Sequence, residues 1–254
     1  MSLSSGHTTV VTGGASGIGE ATVEEFTRQG ANVVVADLDD ETGTELAERV
    51  SASFDGDATF VQTDVSDEDA VAAAVETATD TYDTLDSVIN NAAVASRDAD
   101  GPITEFTDEG FEFLSGVNLK GPAYLCKHGI PVMEATGDGT GVVVNNASVA
   151  ALVAEPGMDV YTATKGALVS LTRSIAVEYA PDVRANAVCP GVVETPMLEA
   201  AADEDDHVQE MIEQTPGGIG QPADVANVVA FLASDRSRYV NGAVIPVDGG
   251  YTAR

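Results

Sequence analysis

Short runs of β-branched residues alternate with longer amphipathic stretches from one end of the chain to the other, and this alternation constrains the fold most. The runs Thr8–Thr12, Ala31–Ala36, Thr59–Thr63, Ser87–Asn90, Gly141–Asn145, Val183–Cys189 and Ala243–Val247 are rich in valine and show no polar alternation. Strands of that kind are buried on both faces, which happens when crossover helices cover a parallel sheet. The stretches between them predict helices over Gly17–Gly30, Asp39–Ser53, Asp67–Tyr82, Thr107–Ser115, Val117–Ala135, Tyr161–Ala180 and Pro222–Ser234. The predicted fold class is therefore α/β, a doubly wound, Rossmann-type parallel sheet of about seven strands with helices on both faces. No repeat or linker divides the chain, so residues 1–254 read as one domain, with 194–220 a mobile segment over the site.

The first strand runs into Thr12-Gly-Gly-Ala-Ser-Gly-Ile-Gly19 before the first helix. Glycines there permit a tight turn and close approach to a pyrophosphate, at which the N–H groups of the new helix point. Gly13, Gly17 and Gly19, with Ser16 and Ile18 between them, form this loop. Asp37 ends the second strand, 18 residues after Gly19. A carboxylate at that place accepts hydrogen bonds from ribose hydroxyls and repels a 2′-phosphate, which favours NAD over NADP. The competing reading of Asp37 is a helix cap, a role open to Asp39 as well.

Tyr161-Thr-Ala-Thr-Lys165 is the sharpest chemical signal. A spacing of four places both side chains on one helix face. Free tyrosine has a pKa near 10. A neighbouring ammonium favours the phenolate and predicts a lowered value, suited to a general base. The chain has only three lysines, Lys120, Lys127 and Lys165, so one at this position argues against a solubilising surface residue. Ser148, 13 residues before Tyr161 and just past the fifth strand, offers a hydroxyl to a substrate oxygen.

The glycine spacing together with Ser148, Tyr161 and Lys165 resembles the short-chain dehydrogenase/reductase family, over nearly the whole chain. The resemblance implies hydride transfer between a nicotinamide cofactor and a secondary alcohol or ketone. It makes Ser148 and Tyr161 the residues touching substrate and adds Asn118 to the catalytic set. It assigns Asp64 and Val65 to the adenine, and Asn91 and Ala92 to the motif after the fourth strand, with Ala93 where the family has glycine. Val193 and Thr195 would hold the carboxamide, and Lys165 the nicotinamide ribose. A homotetramer is also implied. Alternatives are a 3-oxoacyl thioester reductase using NADPH, which Asp37 disfavours, and a non-catalytic dinucleotide sensor, which would not require Ser148, Tyr161 and Lys165 together.

Residues expected beside the substrate are Ala93–Ser96, Val149–Val153, Met158 and Val192, with Arg97 and Glu155 as charged exceptions. Mostly small or apolar, they favour a modest hydrophobic or alicyclic group. Cys126 and Cys189 have no disulfide framework or metal-ligand spacing, and His7, His128 and His207 are scattered. No stretch reaches membrane-span length and no signal peptide is visible, so the expected location is the cytoplasm.

Forty-two acids face eleven bases, a net charge of −31. Such a surface repels nucleic acid and anionic membranes. With 44% hydrophobic residues the chain has material for a core, so the imbalance belongs to the surface. The expected habitat is a very salty cytoplasm, where screening over about 3 Å at 1 M relieves self-repulsion. The run Asp203–Asp206 reads as solvated acid, lacking a calcium-loop pattern.

Overall fold

In the computed structural model, which describes Leu3, residues 6–202 and residues 206–253, the expected strands form one parallel sheet. In chain order they are β1 (Thr8–Thr12), β2 (Asn32–Asp37), β3 (Asp57–Gln62), β4 (Ser87–Asn90), β5 (Gly141–Asn146), β6 (Val183–Pro190) and β7 (Val244–Val247). Their spatial order is β3-β2-β1-β4-β5-β6-β7. The order reverses between β1 and β4, and a doubly wound sheet opens a ligand crevice there, beyond the strands' carboxyl ends.

The helices are α1 (Gly17–Arg28), α2 (Asp40–Ser53), α3 (Glu68–Tyr82), α4 (Asp108–Ser115), α5 (Gly121–Ala135), α6 (Asp159–Glu178), α7 (Pro196–Ala202), α8 (Asp206–Gln214) and α9 (Pro222–Ala233). Adjacent valines of one strand serve opposite faces. Val33 and Val35 pack with Val23, Phe26 and Val229 beneath α1 and α9, while Val34 packs with Val71, Val75 and Leu125 beneath α3 and α5. All of these are fully or almost fully buried, each worth about 1.5–3 kcal/mol against exposure. This explains the missing alternation.

Observed ends lie within about two residues of the expected ones, with two differences. The stretch predicted as one helix over Val117–Ala135 begins with a π-turn, Gly116–Lys120, and becomes α-helical only at Gly121. Residues 194–220 contain the two short helices α7 and α8. Of the acidic run, 203–205 lie outside the described residues, as does the His207 side chain. Cys126 and Cys189 are free and buried. Among the described residues no helix is long and apolar enough to cross a membrane, and no group of three or more His, Cys, Asp or Glu could hold a metal ion.

Candidate active site

A cleft of about 710 Å³ crosses the carboxyl ends of the strands. Its walls take Gly13, Ser16, Gly17 and Ile18 from the glycine loop, and Asp37, Asp64, Val65, Asn91 and Ala92 from the strand ends. Tyr161, Lys165, Val193 and Thr195 complete the far side. Most residues expected from sequence therefore meet in one place.

At the loop end the backbone is interlocked. Gly13 and Gly17 have φ of +60° and +54°, in the left-handed region that favours glycine. A Cβ on Gly13 would lie 2.8 Å from the Ala92 Cα, and one on Gly19 only 1.8 Å from the Gly13 carbonyl oxygen. The Asn91 amide fastens this arrangement by donating to the carbonyls of Thr12 and Gly13 at 3.0 and 2.9 Å. Asn91 thus holds the loop itself. Ser16 is the N-cap of α1 without capping it through its side chain. Such a cradle, closed to any side chain and facing a helix N-terminus, fits a pyrophosphate.

The Asp37 carboxylate accepts from the backbone N–H of Ala15 at 2.9 Å and of Asp39 at 3.1 Å. The cap of α2 is Asp39, which accepts from Thr42, so the cap reading of Asp37 falls. Each Asp37 oxygen keeps a lone pair for a ribose hydroxyl. Leu38 beside it is well exposed and lines the cleft. Asp64 accepts from the N–H and hydroxyl of Ser66, which sets the turn into α3.

At the other end, Tyr161 and Lys165 lie on α6 with the Lys165 Nζ 5.7 Å from the Tyr161 ring centroid. Lys165 is 2% exposed and donates to the Asn146 carbonyl at 3.0 Å. Burial lowers its ammonium to about 8. The Tyr161 phenol is raised, which differs from the lowered value expected from its lysine neighbour. Burial is the main cause, a hydrogen bond with Ser148 pulls the other way, and the Glu155 carboxylate raises it further. Desolvation outweighs the ammonium, whose contact is with Asn146. Ser148 also caps the short 3₁₀ turn Val149–Ala151 by accepting from Ala150.

Asn118 sits fully buried in the π-turn. Its amide accepts from the Val94 N–H and donates to the Val94 carbonyl, both at 2.9 Å. The segment after β4 is tied a second time by Asp100, which sequence reasoning missed. The Asp100 carboxylate accepts from the N–H groups of Val160 and Tyr161 at 3.0 and 2.8 Å, capping α6 where its own N-cap, Met158, makes no side-chain cap. Asp159 returns the contact by accepting from the Ile103 N–H.

On the substrate side Ala93, Val94, Ala95, Met158 and Val192 line the cleft as expected, with Glu112 and Glu155 also present. Ser96, Asn118, Ser148 and the turn at 149–153 are not part of that lining. Thr195 and Pro196 lie against Gly17, which brings the start of α7 beside the loop.

The family model described as "Enoyl-(Acyl carrier protein) reductase" matches residues 13–252. A relative from Xanthobacter autotrophicus, 2-(R)-hydroxypropyl-CoM dehydrogenase, is 39% identical across 96% of this chain and 98% of its own. Another, cis-4-hydroxycyclohexanecarboxylate dehydrogenase of Sinomonas cyclohexanicum, is 38% identical across 96% of each chain. The crystal structure of levodione reductase superimposes with a TM-score of 0.92 at 33% identity, covering 98% of both chains. The chain belongs to the short-chain dehydrogenase/reductase family. It is an NAD(P)-dependent oxidoreductase acting on CH–OH groups.

Proposed function

We propose that the protein is a single-domain, NAD-preferring dehydrogenase that interconverts a secondary alcohol and its ketone through Ser148, Tyr161 and Lys165. The observation that carries this reading is the far end of the cleft. There a buried lysine stands one helical turn from a partly buried tyrosine, whose phenol Ser148 pulls towards a lower proton affinity. A bound nicotinamide cofactor supplies the hydride acceptor in oxidation and the donor in reduction. Tyr161 takes the alcohol proton in oxidation and returns it in reduction. Ser148 donates a hydrogen bond to the substrate oxygen as charge changes there. Lys165 places its positive charge where a phenolate forms, offsetting the rise that burial and Glu155 impose.

Asn118 contributes through the main chain. Val94 occupies both ends of its amide, and the π-turn that carries it breaks the regular ladder and releases backbone carbonyls for a proton relay towards Lys165.

The glycine cradle holds the pyrophosphate, Asp64 and Val65 the adenine, and Val193 and Thr195 the carboxamide. The preference for NAD rests on Asp37, fixed by two backbone donors, with no base adjoining it in sequence. The small, apolar substrate wall favours a neutral alicyclic or short alkyl alcohol. Relatives named for six-membered-ring alcohols, one a dichlorocyclohexadiene diol and one a hydroxycyclohexanecarboxylate, support the alicyclic part of that choice. Reduction of the ketone of a 3-oxoacyl thioester with NADPH stands second; the matching family's description shares the acyl-carrier substrate but names an enoyl group in place of a ketone. Residues 194–220 act as the lid, the assembly is a homotetramer, and the habitat is a high-salt cytoplasm.

The test is a panel of secondary alcohols, sugars and 3-hydroxyacyl thioesters assayed with NAD⁺ and NADP⁺ in molar salt. Turnover of cyclic or short secondary alcohols with NAD⁺ is expected. Thioester turnover with the phosphorylated cofactor alone would overturn the reading. Asp37→Ala combined with Leu38→Arg is expected to shift preference towards NADP⁺, and an unchanged preference would remove Asp37 from its role.

A further inference from the structure

Asn146, the last residue of β5, holds both halves of the cleft at once. Its carbonyl receives Lys165, and its Nδ2 donates to the Asn91 Oδ1 at 2.9 Å. Asn91 in turn donates to the Thr12 and Gly13 carbonyls of the glycine loop. That chain of bonds fixes the orientation of the Asn146 amide. Asn91 must present Nδ2 to two carbonyls, so it turns Oδ1 to Asn146, which must answer with its own Nδ2.

The Asn146 Oδ1 therefore points elsewhere, and it has no hydrogen-bond partner among the described residues although the residue is only 7% exposed. A buried acceptor left unsatisfied is costly, and each such group in a native protein calls for a physical reason. Asn90 Oδ1 and Thr162 Oγ1 are also unsatisfied, but of the three residues only Asn146 lines the cleft. It follows Asn145, a second buried amide whose own bonds go to Asn90 and Thr172, so the end of this valine strand carries two amides of which only Asn146 has an atom to spare for the cleft.

We propose that Asn146 is a cofactor-positioning residue whose Oδ1 accepts a hydrogen bond from a hydroxyl of the nicotinamide-side ribose. This rests on the dinucleotide reading given above. A dinucleotide carries few donors: the adenine amine, two pairs of ribose hydroxyls and the carboxamide. Asp37 and Asp64 stand at the adenosine end, and Val193 and Thr195 at the carboxamide. Between the glycine loop and Lys165, where Asn146 sits, the donors that remain are the hydroxyls of the second ribose. The same residue then sets the ribose through its side chain and Lys165 through its carbonyl, fixing one against the other.

The test is calorimetric titration of ADP, ADP-ribose and NADH into the full-length protein and into Asn146→Leu, in molar salt. ADP lacks the second ribose, and ADP-ribose has it. Because the variant also loses the Nδ2 bond to Asn91, its loss on ADP measures that contact alone, and ADP-ribose and NADH are expected to weaken roughly a further five- to tenfold beyond it, the size of one neutral hydrogen bond in a buried site. Equal affinity for all three ligands in both proteins would overturn the proposal. So would an equal loss on ADP, because Asn146 would then act only through Asn91 on the loop. Should the leucine variant fail to fold, Asn146→Ala is expected to show the same contrast between ADP and ADP-ribose. Failure of the unaltered protein to bind NADH or ADP would instead overturn the dinucleotide reading, a result distinct from the other two.

Discussion

The glycine loop and the first turns of α6 face each other across one cleft and are built on opposite principles. The loop carries no charge and works by exclusion. Gly13 and Gly19 leave no room for side chains, Gly17 holds a left-handed φ, and Asn91 fastens the backbone from behind. The α6 end buries Lys165, half-buries Tyr161, and works through their displaced proton affinities. Changes in the loop should therefore act sterically and independently of pH. Changes on α6 should act electrostatically and trade stability against activity.

The largest effect short of removing the chemistry is expected from Gly19→Ala. Its methyl group would sit 1.8 Å from the Gly13 carbonyl oxygen, so the loop must open. Overpacking of about 3 kcal/mol corresponds to roughly a hundredfold loss of NADH affinity, equal at pH 6 and pH 9 and readable by titration. Affinity near that of the unaltered protein would break the steric half of the comparison.

Lys165→Met should abolish activity and yet stabilise the fold. Burial holds the ammonium near 8 against an ordinary 10.5, so the folded protein binds fewer protons than the unfolded chain between those values. Its stability then rises with pH across that window, and below it the full cost of the buried charge is present. The variant should gain about 2–3 kcal/mol at pH 7, shrinking as pH climbs from about 8 to 10.5, in paired denaturant titrations. A variant less stable than the parent at pH 7 would show that the bond to Asn146 outweighs desolvation.

A smaller effect is expected at Asp100, which caps α6 beside Tyr161. Asp100→Ala should lower stability by about 1–2 kcal/mol, the worth of a cap, and lower kcat with NADH affinity unchanged as Tyr161 loses its fixed backbone. Asp100→Asn, which keeps an acceptor, should recover most of it. Failure of that recovery would assign the effect to charge rather than to the cap. The smallest effect is the surface one. With 42 acids against 11 bases, the melting temperature should rise steadily from dilute buffer to molar potassium chloride, and a flat response would sever the link between the acid balance and salt.

How much of this was legible beforehand follows the range of the contacts. The valine strands, the glycine loop and the Tyr161/Lys165 spacing are written locally, in periods of two and 3.6 and in turn chemistry, so they emerge from sequence within about two residues. The π-turn at Gly116–Lys120 does not, because it accompanies Asn118 pairing with Val94, 24 residues earlier. Asp100 reads as an ordinary loop acid until the fold brings it to α6, 60 residues on. The raised Tyr161 phenol was missed for the same reason, since desolvation depends on what the tertiary structure packs around the ring. Asn146 left a signal shared with Asn145: two amides where the valine run of a buried strand should continue.

The central claim is that Tyr161 moves the substrate proton, and Tyr161→Phe tests it most directly. The variant should bind NADH as the unaltered protein does, because no contact holding the glycine loop passes through the phenol oxygen. Turnover of an accepted alcohol should fall roughly 10³-fold, within the range for loss of a general acid or base. Normal turnover with normal binding would contradict the account.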